Sequence, residues 1–372
     1  GNYVFVGIRQ AGKSYLLYQR IQQLLREEHN INEIVYINFD DERLRQMTAD
    51  DLDLILQAYH SLFDLRPLLF FDEIQNIEGW EHFARRLADQ QYRVYITGSN
   101  AKMLSREIAT TLGGRFWNKD VYPYSFAEYL NARNIILSKN WMYGKQAAEV
   151  SKAFNDYFLY GGFPELTDVI AKRVWLNDIY SKIFFSDLIV RNKVRNEEAL
   201  GLLVRRLAEN VKQPVSYTRL ANLISSIGIK ISKATVIEFI RYLKESCLIF
   251  PIENYAAKFA ERNSNMKHYF IDNGLLSIFL LDGNTSLLEN IVAIHLYKRY
   301  GAQLHFYNQN IEVDFIIPEA KTAIQVSYSL MDETTCRREV EGLIKLNRVF
   351  PMDNMCIITR DEERIITHES GV

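Results

Sequence analysis

Cysteine is scarce in this chain: Cys247, Cys336 and Cys356 are the only three among 372 residues. Set far apart, they offer neither a disulfide framework nor a zinc-ligand spacing, and they read as core thiols. Long apolar runs are missing too. No stretch approaches the roughly 20 residues that a membrane helix needs, and no charged segment followed by an apolar one opens the chain as a signal. No membrane partner is therefore expected, and the cytoplasm is the expected compartment. Net charge is almost nil, with 44 Lys and Arg against 46 Asp and Glu for a formal -2. That balance excludes a global attraction to nucleic acid or lipid and leaves any such surface to be local. What remains is the composition of an ordinary globular protein, 48% hydrophobic and 24% charged, in a chain long enough for two to three domains.

Chemistry is written most densely near the amino-terminal end. Tyr3-Val4-Phe5-Val6 is an apolar run, and Gly7-Ile8-Arg9-Gln10-Ala11-Gly12-Lys13-Ser14 follows it in the G-x-x-x-x-G-K-[ST] spacing of a phosphate-binding loop. Such a loop wraps phosphate oxygens with its own N–H groups, so glycines stand where side chains would block approach. The helix beginning near Gly12 turns its positive end toward the anion. Lys13 supplies a point charge for the β- and γ-phosphates and Ser14 a hydroxyl for Mg2+. With Tyr15, these residues form the expected ATP site, and the expected cofactors are ATP and Mg2+. The chain opens on its first strand without a methionine, so the segment that holds adenine in many ATPases of this type is expected upstream.

Leu16, Leu17, Ile21, Leu24 and Leu25 fall at helical spacing over residues 14–28; residues 33–38 read as a strand and 51–62 as a helix. Pro67-Leu68-Leu69-Phe70-Phe71-Asp72-Glu73 then runs four apolar residues straight into two acids, the form of a buried parallel strand emerging at the carboxyl edge of a sheet. Asp72 is expected to hold Mg2+ through water beside Ser14. Glu73, pointing to the other side, is expected to polarise the attacking water. A helix over 80–89 and a strand over 92–97 lead to Thr97-Gly98-Ser99-Asn100, where Asn100, with Ser99 beside it, is the expected sensor of the γ-phosphate. After Gly113-Gly114-Arg115, residues 116–122 make a fifth strand, and Ser125 opens a helix with Glu128 completing a capping box. Arg115 is a candidate arginine finger, acting on its own site or on that of a neighbour in a homo-oligomer. A surface-paired arginine is the alternative, and Arg106 is a poorer candidate for the same task.

Taken together, these residues resemble the bacterial and archaeal AAA+-like P-loop ATPases that carry a C-terminal domain of unknown function. Phe39-Asp40-Asp41 fits the same pattern. Tyr160-Gly161-Gly162-Phe163-Pro164-Glu165 resembles that family's glycine-glycine-phenylalanine-proline-glutamate signature, and Tyr269-Phe270-Ile271-Asp272-Asn273-Gly274-Leu275 its later aspartate-asparagine-glycine-leucine segment. The resemblance spans nearly the whole chain. It implies an α/β fold with a parallel sheet of the AAA+/ASCE type, ATP binding and a modular tail, but no biological task. Gly161-Gly162 reads as structural, a tight bend that lets helices pack closely.

Further on, helices over 202–211, 216–224 and 232–245 are followed by strands over 248–252 and 267–271, the order of a winged helix-turn-helix. Lys230, Ser232, Lys233, Thr235 and Arg241 would face a groove, and Lys258, Arg262 and Lys267 would arm the wing against duplex DNA. Glu238 and Glu245 on the same helix count against DNA, and a protein partner stays open. The last hundred residues resemble PD-(D/E)xK domains of the restriction-endonuclease type: Glu289 on a helix, Asp314 on a strand, and a following strand with Gln325 and Ser327. There the family's second acid is replaced by an amide and its lysine by a hydroxyl, so no nuclease activity is expected. Glu312 is a neighbouring acid that would compensate in part.

The expected organisation is a P-loop ATPase domain over 1–135, a helical lid or linker over 136–196, a winged helix over 197–275 and an inactive nuclease-like domain over 276–372. The leading expectation is an ATP-hydrolysing switch or motor whose nucleotide state moves the tail, with DNA as one partner. A nucleotide-locked scaffold for a protein partner and an ATP-coupled nuclease are the alternatives.

Overall fold

The computed structural model describes residues 1–258, 262 and 265–367. These fall into two compact units, Gly1–Pro123 with Lys244–Cys247, and Tyr124–Leu243 with Leu248–Val372.

In the first unit, strands β1 (Asn2–Val6), β2 (Ile34–Asn38), β3 (Leu68–Asp72), β4 (Arg93–Gly98) and β5 (Phe116–Asp120) form one sheet in the order β2-β3-β4-β1-β5, every pair parallel. Side chains alternate across a strand, so each strand feeds two cores. Val4, Val6, Leu69, Phe71, Val94 and Ile96 pack with Trp80, Phe83 and Leu87 on one face. Leu68, Phe70 and Tyr95 pack with Leu17 and Leu24 on the other. Burial on both faces explains why β3 reads as a continuous apolar run and why all five of its residues are buried. A helix lies in each crossover: Lys13–Arg26 after β1, Asp53–Leu62 after β2, Trp80–Asp89 after β3 and Arg106–Leu112 after β4.

The second unit opens with the helix Phe126–Ala132, whose Ser125 and Glu128 form the capping box legible in sequence. Its Tyr129 and Leu130, with Ile135, pack against Val150, Ala153 and Tyr157 of the helix Lys145–Tyr160. The continuous part of the first compact unit runs to Pro123, and Lys244–Cys247 return to it. Helix Lys172–Lys182 runs on into a π-helix, Ile183–Val190, and helices Glu197–Glu209, Tyr217–Ser225 and Lys233–Glu245 follow. Strands β6 (Val215–Ser216), β7 (Ile249–Asn254) and β8 (Asn265–Phe270) then share a single seven-stranded sheet with β9 (His305–Asn308), β10 (Glu312–Ile317), β11 (Thr322–Val326) and β12 (Asn354–Ile358), in the order β12-β11-β10-β9-β7-β8-β6. The division expected at 275/276 therefore does not separate two sheets: β7 pairs in parallel with β9.

The two glycine-bearing signatures interlock in this unit. The buried Asp272 carboxylate accepts from the N–H of Gly162 at 2.7 Å, of Gly274 at 2.8 Å and of Leu275 at 3.3 Å. Gly161 has a left-handed φ of 77°, and a Cβ there would stand 2.0 Å from Asp272 Oδ1; a Cβ on Gly274 would stand 2.1 Å from the carbonyl oxygen of Tyr160. Asn273 adds bonds to the carbonyls of Phe158 and Leu287, and Asn290 ties Asn273 to β8 through Phe270. Burial pushes the Asp272 carboxyl up to about 6, against the three backbone donors that favour its charged form. The thiols are less buried than expected: Cys356 is exposed and Cys247 and Cys336 are only half-buried.

Candidate nucleotide site

Four strand ends meet at the carboxyl edge of the first sheet. Val6 lies level with Gly98 and Asp120, and Phe71 with Ile96, so Gly7, Asp72 and Thr97 leave their strands at one edge. The N–H of Gly7 donates to the Gly98 carbonyl at 3.3 Å, and a Cβ at position 7 would lie 1.9 Å from the Val121 carbonyl oxygen, so only glycine fits. The loop then turns through left-handed Gln10, φ 61°, and Gly12, φ 97°. Ile8 and Ala11 point inward and are buried, while Tyr15 is exposed. The helix begins at Lys13 with no side-chain cap, which leaves its positive end with no built-in anion; Ser14 lies half-buried on its first turn.

Lys13 is only 4% exposed. Its ammonium donates to the Ile8 carbonyl at 3.1 Å and lies 3.5 Å from Glu73 Oε1. Burial pushes the Glu73 carboxyl up, but Lys13, the hydrogen bonds from Gln75 and Ser99, and Arg9 outweigh it and hold the group below the ordinary glutamate value. Asp72 is buried; one oxygen accepts from the Thr97 hydroxyl and the other from the Tyr36 hydroxyl at 2.8 Å. Tyr36 in turn meets the Tyr18 hydroxyl at 2.9 Å, and burial, then Tyr18 and Asp72, push its phenol far above its usual range. It therefore remains a donor to Asp72 at every working pH.

Lys13 and Glu73 are thus paired at 3.5 Å, and Asp72 lies one residue before Glu73 at the end of β3. The other two candidates are engaged elsewhere. Asn100 Oδ1 accepts from the Lys102 N–H at 2.8 Å and caps the short turn Ala101–Leu104. It is Thr97 of β4 that bonds Asp72, and Ser99, just past that strand, that bonds Glu73. Arg115 pairs with Asp89 and donates to the Gly113 carbonyl at 3.1 Å, both within its own chain. Sequence reasoning assigned no role to Tyr36, Gln75 or Thr97. Thr97 sits two residues before Ser99, and Tyr36 two residues before Asn38, which lies level with Asp72, so parity was the only available signal.

A second polar cluster lies in the second unit. Lys267, 0% exposed, places its ammonium 3.2 Å from Asp314 Oδ1, 3.4 Å from Glu289 Oε1 and 3.6 Å from Glu312 Oε1. Tyr269 donates to Glu289 at 2.7 Å. Burial and the Asp314 charge push Glu289 up to about 7 despite Lys267. The expectation that Lys267 arms a DNA-facing wing is corrected here: it is a core cation, paired with the buried Glu289, the half-buried Asp314 and, at the rim, the exposed Glu312. Arg262 is also committed, to the carbonyls of Ala257 and Tyr255; the middle of that wing loop lies outside the described residues. Gln325 bridges the β10 backbone, accepting from the Asp314 N–H at 2.9 Å and donating to the Glu312 carbonyl at 3.2 Å, and Ser327 donates to the Ser329 carbonyl. Among the described residues no group of three acid, histidine or cysteine side chains is arranged to hold a metal ion.

The sheet order, with β4 between the loop-bearing β1 and the acid-bearing β3, defines an α/β P-loop domain of the AAA+ type. Residues 2–130 match the family described as AAA domain, and residues 151–286 a domain of unknown function (DUF8612). Among relatives, a Methanocaldococcus jannaschii protein designated MJ1544 is 34% identical over 97% of this chain and 82% of its own length. A Haemophilus influenzae protein is 30% identical over 92% and 86%. The chain belongs to this family of AAA-domain proteins. Solved structures with a related outline include the Aeropyrum pernix ORC1 protein in complex with DNA, 13% identical, covering 80% of this chain and 88% of that one at a TM-score of 0.32. Cdc6p from Pyrobaculum aerophilum is 11% identical, with the same coverages and a TM-score of 0.31.

Proposed function

We propose that the chain binds ATP with Mg2+ at the carboxyl edge of the first sheet and hydrolyses it. The observation that carries this reading is the convergence of Lys13, Asp72 and Glu73 beside a helix start that has no cap of its own. The residues fit the cofactor: backbone N–H groups over 7–15 for phosphate oxygens, Lys13 for the β- and γ-phosphates, and Ser14 with Asp72 for the metal. Bound Mg2+ would neutralise charge developing on the transferred phosphoryl group. Glu73, kept ionised, is suited to accept the proton of the attacking water. Thr97 and Tyr36 fix the Asp72 carboxylate by donating to both of its oxygens. Asn100 and Arg115 join this site only if their own present bonds, to Lys102 and to Asp89, are given up. Turnover in wild type against Glu73→Gln separates hydrolysis from a nucleotide-locked scaffold.

We further propose that nucleotide state acts on the tail, read as a helical segment over 136–196, a winged helix over 197–275 and a nuclease-like region over 276–372. Exposed Lys230 and Lys233, at the start of the helix Lys233–Glu245, favour duplex DNA as a second ligand. With Lys267 and Arg262 committed inside the protein, that contact would be small and strongly salt-dependent. Binding that survives Lys230→Ala with Lys233→Ala would point to a protein partner instead. The Lys267 ammonium among three carboxylates supports a tail without metal-dependent cleavage. DNA cut in Mg2+ or Mn2+, with the cutting lost in Asp314→Ala, would overturn this.

A further inference from the structure

Gln75 is required neither by the phosphate loop nor by the acid pair, yet its side chain bonds the acid that would activate water. Its Nε2 donates to Glu73 Oε2 at 2.5 Å and reaches Ser99 Oγ at 3.4 Å. We propose that Gln75 is the positioning residue for Glu73, holding the carboxylate in its working orientation once Lys13 has turned to phosphate. The proposal deepens the ATPase reading and rests on it.

Three features of the local structure point this way. Glu73 has a left-handed backbone, φ 52°, an uncommon state for a residue with a side chain, and its N–H is fixed by the Thr97 hydroxyl at 3.0 Å. That conformation ends β3 and starts the one-turn helix Ile74–Asn76, which swings position 75 back over the carboxylate. Second, the other end of the amide is held in place. Gln75 Oε1 is buried with no hydrogen-bond partner among the described residues, and it lies 2.4 Å from where a Cβ on Gly98 would stand, with Met103 Sδ at 2.0 Å from the same point. Glycine at position 98 is what leaves room for the amide. Rotating the amide by half a turn would set its oxygen against the Glu73 carboxylate, so the donor end stays where it is.

Third, the two groups that bond Glu73 differ in what a phosphate would do to them. Lys13 is a point charge on a flexible stem, and an incoming polyphosphate competes for it directly. Gln75 is neutral, and a phosphate oxygen gives it no reason to leave. After Lys13 has moved, Gln75 and Ser99 still define where the carboxylate points. An error of about 1 Å at such a group costs on the order of 100-fold in rate.

The test compares Gln75→Ala and Gln75→Glu with wild type in steady-state ATP hydrolysis and in equilibrium ATP binding. The expected result for Gln75→Ala is a kcat lower by about 10- to 100-fold with nearly unchanged KM and affinity, the pattern of an interaction needed only in the reaction step. Gln75→Glu keeps the shape but replaces the donor with a second carboxylate, so its loss should exceed that of Gln75→Ala. A packing role predicts the reverse order. In a Glu73→Gln background, Gln75→Ala should cost nothing further. If Gln75→Ala fails to fold, Gln75→Met serves, because it fills nearly the same space without a donor for Glu73. Wild type that hydrolyses, Glu73→Gln that does not, and Gln75 variants at the wild-type rate would defeat this inference alone. Wild type without turnover would defeat the ATPase reading and this inference with it.

Discussion

The ammonium of Lys13 stands 3.5 Å from the carboxylate of Glu73, and each is held by further bonds, Lys13 by the Ile8 carbonyl and Glu73 by Gln75. The two charges neutralise each other in a largely enclosed place. On the proposed ATPase reading, an arriving triphosphate would replace Glu73 as the partner of Lys13 and release the carboxylate for chemistry. On that reading, binding and activation would be coupled through one ion pair.

Glu73→Gln should leave ATP affinity intact or raise it slightly, because Lys13 then loses its internal competitor. Turnover should fall by about 100- to 10,000-fold, the range for loss of a general base. Phosphate release under saturating ATP, beside a binding titration of the same protein, checks both halves.

Tyr36→Phe removes one of the two hydroxyl donors to a buried carboxylate. A hydrogen bond to a charged group contributes roughly 1.5–3 kcal/mol, so the variant should lose about that much stability. It should also need more Mg2+ for half-maximal turnover, since Asp72 is then held by Thr97 alone. Thermal unfolding and a Mg2+ titration of the rate measure the two effects.

Asp272 predicts a pH dependence of the second unit. Its carboxyl is pushed up from 3.8 to about 6, so the folded chain binds the proton more tightly than the unfolded one. This group therefore makes stability fall as pH rises from about 4 to about 6, by roughly 1.4 kcal/mol per unit or about 3 kcal/mol in all, with no further change above. Asp272→Asn should remove that slope, whatever it does to stability itself. Denaturant unfolding at pH 4.5, 5.5 and 7 provides the comparison.

Lys267→Met should destabilise the second unit by about 3–5 kcal/mol, because Glu289 would be left buried, and Asp314 half-buried, without their cation. Adding Glu289→Gln should restore part of the loss. Equal stability of wild type and Lys267→Met in urea would show that the cluster is solvated and the ammonium dispensable.

Much of the first unit was legible because its signals are local. Four apolar residues running into Asp72-Glu73, and glycines at fixed offsets from Lys13, carry their meaning within a few positions. The second-layer residues were not. Tyr36 reads as an ordinary strand former until register brings it to Asp72, 36 residues away. Asn100 stands at the strand tip, the usual place for a γ-phosphate sensor, but its amide also caps the next turn, which the tetrapeptide alone does not reveal. Lys267 was placed on a wing by the usual preference of lysine for water, and only its partners at positions 289, 312 and 314 draw it inward. The Gly161-Gly162 bend was recognised as structural, but its reason, the carboxylate of Asp272 more than 100 residues on, has no local sign.

The central claim is that a magnesium-bound triphosphate sits on the loop at Lys13. Calorimetric titration of ATP with Mg2+ into wild type and Lys13→Ala tests it most directly. The account predicts saturable binding to wild type and a loss of affinity of at least about 10- to 100-fold in the variant, the worth of one charge-assisted contact of roughly 1.5–3 kcal/mol. Equal affinity in the two proteins would contradict it.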